Sequence, residues 1–183
     1  PQAKIVLFGG AKEKLPAWFT RHDWGATIEF HPTSFLDPHT GLENREVNGF
    51  KLAVSSPGRA LMECLYLAPE HQDLMECYEL MKGLKYLEPE EVQELLEKCR
   101  SVKVKRLFIY MADKAGHQWL EDIDPTNIDQ GKGKRSIVKN GLYDNGSGIS
   151  VPKELAEMAT LPLDWPPDPW TRHAKPANSR SPA

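Results

Sequence analysis

The apolar positions of this chain follow two rhythms, and the change falls at Ser55-Ser56-Pro57. Ahead of it the runs are short. Ile5-Val6-Leu7-Phe8 closes on Gly9-Gly10 and predicts a strand entering a turn. Leu15-Pro16-Ala17-Trp18-Phe19 predicts a helical turn with Pro16 at its first position, where a missing N–H is no loss. Thr27-Ile28-Glu29-Phe30-His31 alternates like a half-buried strand, and Pro32 should stop it. Arg45 to Val54 carries Asn48-Gly49, the pair favoured by a type I′ turn because both central residues need positive φ. Around that turn Val47, Phe50, Leu52 and Val54 can face one side.

From Pro57 the period becomes helical. A serine before proline marks a start: its hydroxyl can accept an orphan N–H, and proline suits the first helical position. Ala60, Leu61, Cys64 and Leu65 follow at helical spacing until Pro69. A second helix is predicted from Asp73, with Leu74, Cys77, Tyr78, Met81 and Leu84 inward. A third follows Pro89, with Val92, Leu95, Leu96 and Cys99 at i, i+3, i+4 and i+7. Val102 to Ala115 could alternate as a strand, but Val104, Leu107, Phe108, Met111 and Ala112 fit a helix better, ending near Gly116. Trp119, Leu120 and Ile123 predict one further short helix, and Ser136-Ile137-Val138 and Ile149-Ser150-Val151 predict strand pieces. Residues 160–183 hold Pro162, Pro166, Pro167, Pro169, Pro176 and Pro182, too many fixed φ angles for helix or sheet. Trp165 and Trp170 are expected to hold part of that tail against the body.

The fold class predicted is α+β: a small N-terminal β-sheet with a hairpin (1–54), a central helical bundle (55–125) and a short mixed, β-rich segment (126–158). A proline-rich tail (159–183) follows. The 40% hydrophobic share of the 183 residues is enough for a core, and the net charge of -3 excludes a chain basic throughout. Nucleic-acid contact would need a local patch. Cys64, Cys77 and Cys99 are odd in number and lie in helical segments, so they read as reduced core thiols of a cytosolic protein. No apolar run approaches the roughly 18 residues of a membrane span, and the N-terminus lacks the layout of a signal peptide. A chain that opens on a core strand behind Pro1 reads as a fragment of a longer protein.

Catalytic and metal chemistry find little to stand on. His22, His31, His39, His71, His117 and His173 form no H-x-x-x-H pair, and neither a G-x-S-x-G elbow, a phosphate loop nor a dinucleotide fingerprint is present. The nearest anion-binding feature is Gly131-Lys132-Gly133-Lys134-Arg135-Ser136, which has glycines and cations at the wrong spacing for a phosphate loop. Charge is segregated. Between Glu63 and Glu97 ten acids face only Lys82 and Lys85, then Arg100, Lys103, Lys105 and Arg106 follow, and later Lys132, Lys134, Arg135 and Lys139. Either these are solvated faces with ion pairs of little worth each, or they form a basic surface for phosphates or an acidic partner.

Several segments taken together resemble a family. Ser55-Ser56-Pro57-Gly58-Arg59-Ala60-Leu61-Met62-Glu63 resembles the S-S-P-E-R-A-x-x-E helix start of AbiEi-type antitoxins. Val104-Lys105-Arg106-Leu107-Phe108-Ile109-Tyr110, Gly116-His117-Gln118-Trp119-Leu120, Gly133-Lys134-Arg135-Ser136 and Val151-Pro152-Lys153-Glu154-Leu155 resemble its later segments, in order, across residues 4–155. The resemblance implies that residues 1–158 are the C-terminal antitoxin domain of a bacterial type IV toxin–antitoxin (abortive-infection) regulator. Its implied partner is a nucleotidyltransferase-like toxin, met directly or indirectly, and DNA contact would belong to the full-length protein. From the missing motifs, no cofactor, no metal and no catalytic residue is expected. Two departures stand out: the family's N-terminal winged helix is absent, and Gly58 replaces a glutamate common there. On this reading Arg59, Lys105, Arg106, Lys132, Lys134 and Arg135 form a basic binding surface, since guanidinium and ammonium groups grip phosphates and carboxylates. The alternative is an enzyme that handles a phosphoryl group or nucleotide and modifies a partner, with the basic loop holding phosphate.

Overall fold

The computed structural model describes residues 4–161. β1 (Lys4–Gly10) and β2 (Thr27–Thr33) pair in parallel, from Lys4 opposite Thr27 to Gly10 opposite Thr33. Parallel pairing demands a crossover, and residues 11–26 supply it with α1 (Ala17–Arg21). Two prolines sit differently from the sequence expectation. Pro16 stands just before α1 with ψ near 146°, so it caps the helix from outside instead of opening it. Pro32 does not end β2 but sits opposite Gly9; β2 is an edge of a two-stranded sheet, so a missing N–H can be tolerated there.

β3 (Leu42–Val47) and β4 (Phe50–Ser55) form an antiparallel hairpin with Val47 opposite Phe50. Asn48 and Gly49 both take positive φ, 52° and 81°, as the type I′ reading requires. Val47, Phe50, Leu52 and Val54 do share a face, yet that face lies open to solvent, and Phe50 is 73% exposed.

The helices form where the caps predict them. In α2 (Pro57–Leu67) the Ser56 hydroxyl accepts from Arg59 N at 3.4 Å; in α3 (Leu74–Lys82) the Asp73 carboxylate accepts from Met75 N and Glu76 N. α4 (Pro89–Lys98) has proline in its first turn, and α5 (Val102–Lys114) is capped by Ser101. α5 is a helix because Val104, Leu107, Phe108, Met111 and Ala112 all become buried at that period, against α2 and α3. Burying such side chains is worth about 1.5–3 kcal/mol each for the larger ones, and one hydrophobic cluster runs from Phe35 to Leu155. The predicted helix at Trp119 is a 3-10 turn, Gln118–Asp122, with Trp119 Nε1 donating to Leu84 O at 2.9 Å.

Past it, β5 (Arg135–Ser136), β6 (Leu142–Asp144) and β7 (Ile149–Val151) make a three-stranded sheet in the order β5-β7-β6, with β7 buried. α6 (Lys153–Glu157) inserts Leu155 into the core. The architecture is therefore α+β, with small sheets at both ends of a helical centre. Trp165 and Trp170, predicted to lie against the body, fall outside the described residues. Among the described residues no helix is long and apolar enough to cross a membrane.

Candidate functional site: a basic loop held by a buried arginine

Three of the six predicted surface cations are not on the surface. Arg59, in the first turn of α2, is 7% exposed. Its Nε donates to Glu63 Oε1 at 2.8 Å, and its Nη1 donates to the carbonyls of Asp37 at 3.0 Å and Thr40 at 2.5 Å. Ser55 Oγ completes the set by donating to the other Glu63 oxygen at 2.8 Å. A cation early in a helix is mildly unfavourable by the helix dipole, and here a buried carboxylate and two carbonyls offset that. Arg59 ties the 37–40 loop to α2, so its place is structural. The i, i+4 order that is weak on exposed helices is used because both partners are desolvated.

Lys105 and Arg106 are also buried, at 4% and 6% exposure, since α5 is enclosed at this level. Adjacent helical residues lie about 100° apart, so the two cannot present one basic face. Arg106 turns into the loop that follows the 3-10 turns. Its Nε donates to Gln130 O at 2.8 Å, Nη1 to Gly133 O at 2.7 Å and Gly148 O at 3.1 Å, and Nη2 to Gly131 O at 3.1 Å. A planar fork of donors is suited to several acceptors at once, as an ammonium is not.

The loop is shaped for this grip. Gly131 and Gly133 both take positive φ, 64° and 80°, and a Cβ on Gly131 would stand 2.9 Å from Val102 Cγ2. Gly131 N donates to Asp129 Oδ1 at 2.8 Å, and Arg135 N donates to Gly148 O at 2.9 Å. With its carbonyls turned to Arg106, the loop leaves Lys132, Lys134 and Arg135 exposed. None of these three forms an ion pair or side-chain hydrogen bond among the described residues; Lys134 Nζ lies 4.8 Å over the Tyr143 ring. The predicted surface thus reduces to three cations on one fixed loop, with Arg106 behind them as its support. Such a loop can bind phosphate or carboxylate groups.

Two features escaped the sequence reading. A groove of about 630 Å³ lies between β1 and β4 over α2, lined by Ile5, Val6, Leu52 and Val54. An aromatic cluster sits on the β1–β2 crossover. Neither has a motif; both depend on which apolar residues the fold leaves uncovered. Among the described residues no group of three or more His, Cys, Asp or Glu could hold a metal ion.

No curated protein and no solved structure matches the chain. Residues 2–152 match the family model described as transcriptional regulator, AbiEi antitoxin, type IV TA system. That span takes in all three sheets, every helix from α1 to α5 and the whole basic loop. The chain belongs to the AbiEi antitoxin family of type IV toxin–antitoxin regulators.

Proposed function

We propose that residues 1–158 form an antitoxin domain that counters a nucleotidyltransferase-like toxin, and that Lys132, Lys134 and Arg135 are its working surface. Residues 159–183 are a separate tail in this reading. Family membership implies a toxin partner; what supports the loop's part is the Arg106 fork, which fixes the backbone and leaves three cations exposed and, among the described residues, without an ion pair. The cations would hold acidic groups of the toxin or phosphates of its nucleotide or nucleic-acid substrate. In a regulator that also carries a DNA-binding domain the same charges would favour the DNA backbone, a contact weakened by salt.

Co-expression with a toxin of this system is the test. The chain should restore growth, and the purified chain, incubated with toxin and labelled nucleotide, should transfer no label of its own. Persistent growth arrest would contradict the antitoxin reading. Label transferred only when the chain is present would instead support the enzyme alternative.

A further inference from the structure

Independently of the basic loop, the β1–β2 crossover carries a second surface. Trp18 is 67% exposed and Trp24 43%, an unusual display of indole on so short a segment. Trp24 is fixed, because its Nε1 donates to Phe19 O at 2.9 Å and its ring lies 4.8 Å from that of Phe19. Trp18 meets Phe19 and Trp24 only at inclined angles, 76° and 58°, so no ring is stacked in parallel on it within this cluster. Arg21 follows Trp18 by three residues in α1, which places the two on the same side of the helix. Lys14 precedes Trp18 by four residues. Lys14 and Arg21 are exposed and make no hydrogen bond or ion pair among the described residues. The acids of the segment accept from its backbone: Glu13 Oε2 from Gly10 N at 2.6 Å, Asp23 Oδ1 from Gly25 N at 2.9 Å.

We propose that this crossover binds single-stranded nucleic acid, with a base stacked on Trp18 and neighbouring phosphates held by Lys14 and Arg21. Open indole with exposed cations on either side of it along the chain is complementary to a polymer that offers flat rings between anions. A duplex offers only its phosphates, its bases being already stacked, and would have no use for the indole. A purely apolar protein contact would leave both cations without a partner.

The test is a titration of the full chain with fluorescent single-stranded DNA and RNA of about twelve nucleotides, beside a duplex of the same length. Both single strands should bind more tightly than the duplex, and a difference between them identifies which polymer is preferred. Trp18→Ala should weaken single-strand binding by about tenfold or more, with Trp18→Phe intermediate and melting unchanged. Arg21→Ala should lower the salt slope of binding by about 0.7. Lys134→Ala with Arg135→Ala, in the other surface, should leave this binding intact. Equal affinity for duplex, wild-type binding by Trp18→Ala, or loss of binding only in the loop variant would each overturn the proposal. So would a protein partner that needs Trp18 while the oligonucleotides ignore it.

Discussion

Arg106 Nη1 donates to the carbonyl of Gly133 at 2.7 Å, a bond from the buried middle of α5 to a glycine at positive φ between two exposed lysines. Removing that guanidinium leaves the four carbonyls it serves without their charged donor. Arg106→Ala should lower stability by about 3 kcal/mol and speed tryptic cleavage at Lys132, Lys134 and Arg135. Arg106→Lys should recover only part of this, since one ammonium cannot span the same acceptors. Urea titration and limited proteolysis check both; unchanged cleavage would mean that the loop holds itself.

Arg59 should behave as a structural residue. Arg59→Ala strands Glu63 in a buried site and should cost about 3–5 kcal/mol, whereas Arg59→Met combined with Glu63→Leu should regain much of that. Toxin rescue should fall only as stability falls. Rescue lost at unchanged stability would return Arg59 to the functional surface.

Gly41 and Gly49 separate backbone strain from packing. Both take positive φ, but a Cβ at Gly41 would stand 2.8 Å from Leu95 Cδ2 and 3.1 Å from Arg59 Cβ, while one at Gly49 meets nothing within 4 Å. Gly49→Ala should cost about 1–2 kcal/mol from the backbone alone, and Gly41→Ala distinctly more. Equal losses on denaturant titration would mean that the Gly41 contact relaxes freely.

Much of this fold was legible because its signals are local. Ser56-Pro57 and Asp73 marked helix starts by their capping chemistry, and Asn48-Gly49 marked the hairpin through its need for positive φ. The helical reading of Val102 to Ala115 rested on spacing, which burial bears out. β6 was not legible: three residues, Leu142 to Asp144, become a strand only by pairing with β7. The cations misled for the same reason. Charge reads as surface by default, and nothing near Arg106 in sequence announces acceptors 24 to 42 residues away.

The thiols should be quiet. Burial pushes the Cys77 thiol up to about 12, and Cys64 and Cys99 also rise, first through burial. A disulfide reagent applied below the ordinary thiol value of 9.0 should react slowly with the native chain and count all three cysteines only after unfolding. Because the folded value of Cys77 is raised, its contribution to stability is complete below 9.0 and declines as pH climbs from there toward about 12. Fast native-state labelling of Cys77 or Cys99 would contradict their burial, whereas Cys64 is only half-buried.

The basic loop itself is tested most directly by growth rescue from the toxin, scored with melting temperature, for Lys134→Ala combined with Arg135→Ala. A double substitution of the exposed Lys51 and Lys98, outside the loop, serves as control. Exposed changes of this kind usually move stability by less than about 0.5 kcal/mol, so both variants should melt close to the parent. The loop variant should fail to rescue while the control rescues fully. Full rescue by the loop variant would contradict a working role for the loop.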